Sequence, residues 1–182
     1  MTPSPPRLAA VGGLSGAGKS EFARAIAPQL GASPGAVILR TDEVRKRLFG
    51  VSPTDPLPSA AYGADATRRT YSEMFANGRA LLDAGVSVVL DATFLAEADR
   101  AAAARLADDV GVPFHPSWLV APLEVLERRI SGRSGDASDA TISVLREQAA
   151  SGPHALEWPQ IDASGATADS APGEGDVDLR RG

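Results

Sequence analysis

A chain of 182 residues with 43% hydrophobic and 23% charged residues is long enough for one globular domain with a sizeable core. Its formal net charge of -5 argues against a wide footprint on a nucleic-acid backbone and favours a small anionic or polar partner. With no cysteine, disulfides and thiolate metal sites are excluded, only His115 and His154 offer imidazole, and any metal should be held by oxygen.

Residues 1–6 are proline-rich and lack the charged and apolar regions of a signal peptide, and no apolar run approaches membrane-spanning length. A cytoplasmic protein without a membrane partner is therefore expected. The folded unit is expected over residues 7–164, with disordered tails at 1–6 and 165–182, the latter poor in apolar residues.

The first apolar run, residues 8–11, reads as a buried strand and leads into Gly13-Leu14-Ser15-Gly16-Ala17-Gly18-Lys19-Ser20. This fits G-x-x-x-x-G-K-[ST], and one of the chain's two lysines occupies the motif's lysine position. Glycines let backbone N–H groups turn inward around phosphate oxygens, and a following helix N-terminus adds positive potential. Lys19 is expected to reach the β- and γ-phosphates and Ser20 to ligate Mg²⁺. Phe22, Ile26 and Leu30 recur at helical spacing, and Pro28 and Gly31 end that helix.

A second strand at 36–39 ends at Arg40-Thr41-Asp42-Glu43-Val44-Arg45, where Thr41 is expected to cap a short helix over 42–48. Asp42 and Arg45 share a face at i, i+3. Asp42 is placed to accept the proton of an attacking hydroxyl, and Arg45 to orient the acceptor or steady that carboxylate. A loop with Pro53, Pro56 and Pro58 follows, then a helix with Tyr71, Met74, Phe75, Gly78 and Leu82 on one face, ended by Gly85. Tyr62, Arg68, Arg69 and Tyr71 are the side chains offered for acceptor binding in this region.

A third strand at 86–90 runs into Asp91, a Walker B-type carboxylate expected to hold Mg²⁺ directly or through water. Arg100, nine residues on, is a further candidate for the acceptor pocket. An alanine-rich helix near 96–110, a strand around 118–120 and a helix starting at Pro122 come next. That helix ends in Arg128-Arg129-Ile130-Ser131-Gly132-Arg133 and enters a polar segment over 134–139. Arginines on such a flap can neutralise charge on a transferred phosphoryl group and exclude water. A last helix over 139–150 and a short strand at 161–163 complete the pattern. Nearly continuous apolar strands joined by helices imply a parallel sheet covered on both faces, with ligands at the strand C-terminal ends. Trp118 and Trp158 read as core or pocket walls.

Residues 8–164, through the phosphate loop, the segment 40–50, Asp91-Ala92-Thr93-Phe94-Leu95 and Gly135-Asp136-Ala137-Ser138, resemble the P-loop small-molecule kinases of the adenylate kinase, gluconate kinase and polynucleotide 5′-kinase group. The likeness extends to kinases found alone or as the ATP-binding half of bifunctional aminoglycoside phosphotransferase-like proteins. It implies a P-loop NTPase three-layer α/β sandwich with a five-stranded parallel sheet in the order 2-3-1-4-5, a helical lid, ATP with Mg²⁺, Arg129 and Arg133 as lid arginines, and Asp42 as catalytic aspartate. Arg129 is thereby expected to bind ATP, and a monomer or dimer is expected. The chain carries Glu21 where many relatives have threonine, and it lacks the H-x-D-x-x-x-x-N loop that aminoglycoside phosphotransfer needs.

The reading expected from these residues is transfer of the γ-phosphate of ATP to a hydroxyl of a small molecule. Polynucleotide 5′-hydroxyl phosphorylation and a nucleotide-binding switch or ATPase acting through a protein partner are the alternatives. The chain lacks N-K-x-D and a D-x-x-G after the third strand, and it is short for an AAA-type motor.

Overall fold

The structure is a computed structural model that describes residues 5–132 and 141–165. Its strands are β1 (Leu8–Gly13), β2 (Val37–Arg40), β3 (Val88–Asp91), β4 (Phe114–Val120) and β5 (Gln160–Asp162). The α-helices are α1 (Lys19–Ile26), α2 (Thr41–Leu48), α3 (Ala64–Asp83), α4 (Glu97–Val110), α5 (Leu123–Ser131) and α6 (Ile142–Ser151). All four strand pairings are parallel and the order is β2-β3-β1-β4-β5, as the family resemblance implied.

The period-2 alternation of β1 and β3 divides the core between two layers. Leu8, Ala10, Val88 and Leu90 meet Val44 of α2, Tyr71, Met74 and Leu82 of α3, and Ala103, Leu106 and Ala107 of α4. Ala9, Val11 and Val89 meet Phe22, Ala23 and Ile26 of α1, Leu126 of α5 and Leu145 of α6. Both faces of the central strands are therefore covered, which is why those strands read as unbroken apolar runs. Register sets Val11 beside Asp91 and Arg40 beside Asp91, so two polar side chains reach the C-terminal edge together.

Several boundaries differ from the sequence reading. β3 starts at Val88 because Val86 and Ser87 belong to the turn after α3: Gly85 adopts φ 80°, and the Val86 N–H bonds to the Leu81 carbonyl. β4 begins at Phe114, four residues before the apolar run, since pairing with β1 continues through His115 and Pro116. Thr41 does not cap α2; Arg40 is the N-cap residue, extended and without a side-chain cap bond, so Thr41 is already helical. α1 gives way to a 3₁₀ turn, Ala27–Gln29, at Pro28, and a second 3₁₀ turn, Ser59–Tyr62, follows the proline loop. Trp118 and Trp158 are both core residues. Arg133, the segment 133–140 and the matched residues 135–138 lie outside the described residues, as do 1–4 and 166–182 of the expected tails.

Candidate active site

The phosphate loop follows β1 directly, and its glycines are required by geometry. At Gly13 (φ +143°) a Cβ would lie 2.8 Å from the Leu119 carbonyl oxygen, and at Gly16 (φ +85°) it would lie 2.8 Å from that of Leu126. β4 and α5 thus press against the loop from behind, and only glycine tolerates both the backbone angle and the contact. Gly18 forms the left-handed N-cap of α1 with no side-chain cap, which turns the helix's first N–H groups toward an incoming anion. The Lys19 ammonium arches back over the loop and donates to the Leu14 carbonyl at 3.0 Å.

In front of the loop lies a cavity of about 370 Å³. Ser15, Gly16, Gly18, Lys19 and Ser20 form its floor, and Arg40, Thr41, Asp42 and Arg45 one wall. Asp91 to Thr93, Tyr71, Thr67 and Tyr62 form a second wall, and Val144, Glu147 and Gln148 of α6 close the third. The Ser20 hydroxyl donates to Asp91 Oδ2 at 2.6 Å, and Arg40 Nε stands 3.4 Å from the same oxygen. Burial pushes the Asp42 carboxyl above its ordinary value of 3.8, with Asp91 adding to the rise and the charges of Lys19, Arg40 and Arg45 opposing it. A carboxylate so placed is a better proton acceptor than a solvated one.

Asp91 and Ser20 offer two hard oxygen donors side by side. Among the described residues no three His, Cys, Asp or Glu side chains form a metal cluster. That donor set fits Mg²⁺, which keeps water and takes phosphate oxygens in preference to a protein cage.

The corner after Asp91 is held from two sides. Phe94 sits at φ 50°, a left-handed conformation for an aromatic residue, and its N–H donates to the Tyr71 hydroxyl at 2.9 Å. Burial pushes the Tyr71 phenol up to about 12, so it stays protonated, 3.4 Å from Thr93 Oγ1. Across the cavity the buried Arg45 donates to the Ala61 carbonyl and, at 3.4 Å, to Thr67 Oγ1, while its guanidinium carbon lies 5.4 Å from the Tyr62 ring centre.

The structure gathers Gly13 to Ser20, Asp42, Arg45 and Asp91 at one sheet edge, but three arginines stand elsewhere. Arg68 is on the solvent face of α3, its side chain 72% exposed and paired with Asp65 one turn back. It does not line the cavity, because a step of one residue from Thr67 turns the side chain about 100° away. Arg100 does not reach it either. The guanidinium is buried and donates to the carbonyls of Phe94, Leu95, His154 and Ala155, tying the corner to the segment after α6. Arg129 faces the back of the phosphate loop: it donates to the carbonyls of Ala163 (2.8 Å), Gly165 and Gly16 (3.5 Å). It braces the loop in this structure and does not line the cavity, because α5 packs its own carbonyl edge against Gly16.

Sequence reasoning missed Arg40, Thr67 and Gln148 as site residues. Arg40 had a signal, a charged residue closing an apolar strand two positions before Asp42; Gln148, far along the chain, had none.

A family model described as AAA domain matches residues 8–152. The chain belongs to that AAA domain family. An uncharacterised protein of Mycobacterium tuberculosis is 38% identical over 148 residues, covering 79% of this chain and 29% of that protein. The chain thus spans less than a third of the length of this mycobacterial relative. An adenylyl-sulfate kinase of Myxococcus xanthus is 35% identical over 121 residues, covering 64% of this chain and 59% of the relative. Among solved structures, the APS kinase of Mycobacterium tuberculosis in complex with AMPPNP and APS superposes with a TM-score of 0.66 at 21% identity, covering 97% of this chain and 98% of that one. A sugar kinase from Janibacter gives 0.63 at 23% identity, covering 92% and 91%. The chain thus shares the fold of these kinases and belongs to the AAA domain family. The narrower likeness to aminoglycoside phosphotransferase-like proteins gains no support from these relatives. No helix among the described residues is long and apolar enough to cross a membrane.

Proposed function

We infer that this AAA-family domain transfers the γ-phosphoryl group of ATP to a hydroxyl of a small molecule. The observation that carries the reading is Asp42: a carboxylate whose proton affinity is raised by burial, in the same cavity as Lys19, Ser20 and Asp91. The kinases among the matched proteins and structures support it.

In this mechanism the loop N–H groups and Lys19 hold the β- and γ-phosphates. Arg45, Thr67 and Tyr62 receive the acceptor, whose hydroxyl oxygen attacks the γ-phosphorus while the bond to the β–γ bridging oxygen breaks. Asp42 takes the hydroxyl proton, and ADP departs with the electron pair of the broken bond. Lys19 follows the charge that develops on the leaving oxygen. Ser20 and Asp91 would hold Mg²⁺, which neutralises phosphate charge when bound. Arg133, four residues beyond Arg129, is assigned to neutralise the transferred group.

The test is acceptor-dependent ADP release across sugars, nucleosides, antibiotics and a 5′-hydroxyl oligonucleotide. A phosphorylated small molecule is expected, with Asp42→Asn lowering kcat by about 10²–10⁴-fold. ATP turnover indifferent to every acceptor would overturn the reading. Labelling of the oligonucleotide alone would make the domain a polynucleotide 5′-kinase, and ATP-dependent binding of a protein without any phosphorylated acceptor would make it a switch.

A further inference from the structure

One wall of the cavity is made by a helix that the mechanism above does not use. α6 is anchored by Leu145, fully buried among α1, α5 and the sheet, and by the Arg146–Glu127 ion pair at 2.7 Å to α5. Gln148 lies three residues beyond Leu145 and so shares its face of the helix. Its Oε1 accepts the backbone N–H of Ser15 at 2.9 Å, across 133 positions of sequence. Ser15 is the third residue of the phosphate loop, is buried, and lines the cavity beside Gly16, Lys19 and Ser20. A side-chain oxygen thus holds an N–H that a phosphate-binding loop offers to an anion.

We propose that Gln148 is the residue by which this domain distinguishes a nucleoside triphosphate from a diphosphate. The amide oxygen is a stand-in acceptor for the Ser15 N–H. The terminal phosphate takes that N–H, and the carboxamide turns over by rotation about its last side-chain torsion, so that Nε2 donates to a phosphate oxygen. A neutral hydrogen bond is exchanged for two to a charged acceptor, which favours the loaded state. A diphosphate lacks the group that triggers the exchange. α6 therefore responds to the γ-phosphate and not to the nucleotide as a whole. The proposal rests on the kinase reading only for the identity of the loop's ligand, and it adds a residue that the reaction scheme leaves out.

The test is equilibrium binding of ATP and of ADP, each with Mg²⁺ and without any acceptor, to the full chain and to Gln148→Ala and Gln148→Glu, with a melting temperature for each. Gln148→Ala is expected to weaken ATP about tenfold while ADP binding stays within twofold, the effect of losing one charge-assisted hydrogen bond. Gln148→Glu still accepts from Ser15 but opposes a γ-phosphate, so it should melt no lower than the parent and yet weaken ATP about a hundredfold, with ADP little changed. An unchanged ATP-to-ADP ratio in both variants overturns the proposal, and so does a parallel loss of ATP and ADP accompanied by a lowered melting temperature. Because no acceptor is present, either result stands apart from the acceptor screen, which alone decides whether the domain is a kinase.

Discussion

At the scale of single residues, the tension in this site is concentrated on Asp42. Its carboxyl is more basic in the folded chain than in the unfolded one because burial penalises the anion more than Lys19, Arg40 and Arg45 relieve it. The stabilising contribution of a group with a raised pKa is present below its unfolded value and is lost as pH rises through its folded value. At pH 7, above its unfolded value, Asp42 therefore costs stability, and Asp42→Asn should melt higher than the parent. That gain should shrink as pH falls and vanish below the ordinary carboxylate value of 3.8, which thermal melts from pH 3 to 8 would show. A lower melting temperature at pH 7 would mean that the surrounding cations outweigh burial. Asp42 and Asp91 were legible in the sequence because Asp91 ends an apolar strand and Asp42 lies two residues past the end of another. The partnership of Arg40 with Asp91 was not, since it depends on β2 and β3 being neighbours in register.

At the scale of elements, the site depends on how segments far apart in sequence are tied to each other. The Arg100 guanidinium joins the corner at Phe94 and Leu95 to the backbone at His154 and Ala155. Removing it by Arg100→Ala leaves four carbonyls short of a donor, and urea denaturation should show a loss of about 3 kcal/mol, the order expected for buried polar groups left unpaired. Lysine cannot span four acceptors with one ammonium, so Arg100→Lys should recover less than half of the loss. The periodicity of α4 placed Arg100 on a helix but could not say that its face turns inward, because Ala103 and Ala107 on that face are apolar without being bulky. Arg129 is the parallel case at α5, where a basic residue near a helix C-terminus proves to brace the Gly16 and Ala163 backbone.

For the whole molecule, the parallel sheet with helices on both faces makes the loop, both aspartates and α6 one cooperative unit. Ligand binding should therefore register as global stability. At ATP·Mg²⁺ of 100 times its Kd the gain is about 2.7 kcal/mol. For a 182-residue chain this corresponds to a rise of about 5–10 °C in melting temperature. Chelating the Mg²⁺ should reduce the rise and Lys19→Ala should abolish it, as read by a thermal shift titration. The succession of strands and helices, the phosphate loop and the carboxylates beside it were legible along the chain, because each rests on local periodicity or on a contiguous motif. Which of the many arginines face the cavity, and that a glutamine from α6 holds the Ser15 N–H, depend on the folded packing. Side-chain direction at such positions follows from strand order, register and helix packing, which bring together residues that no local pattern connects.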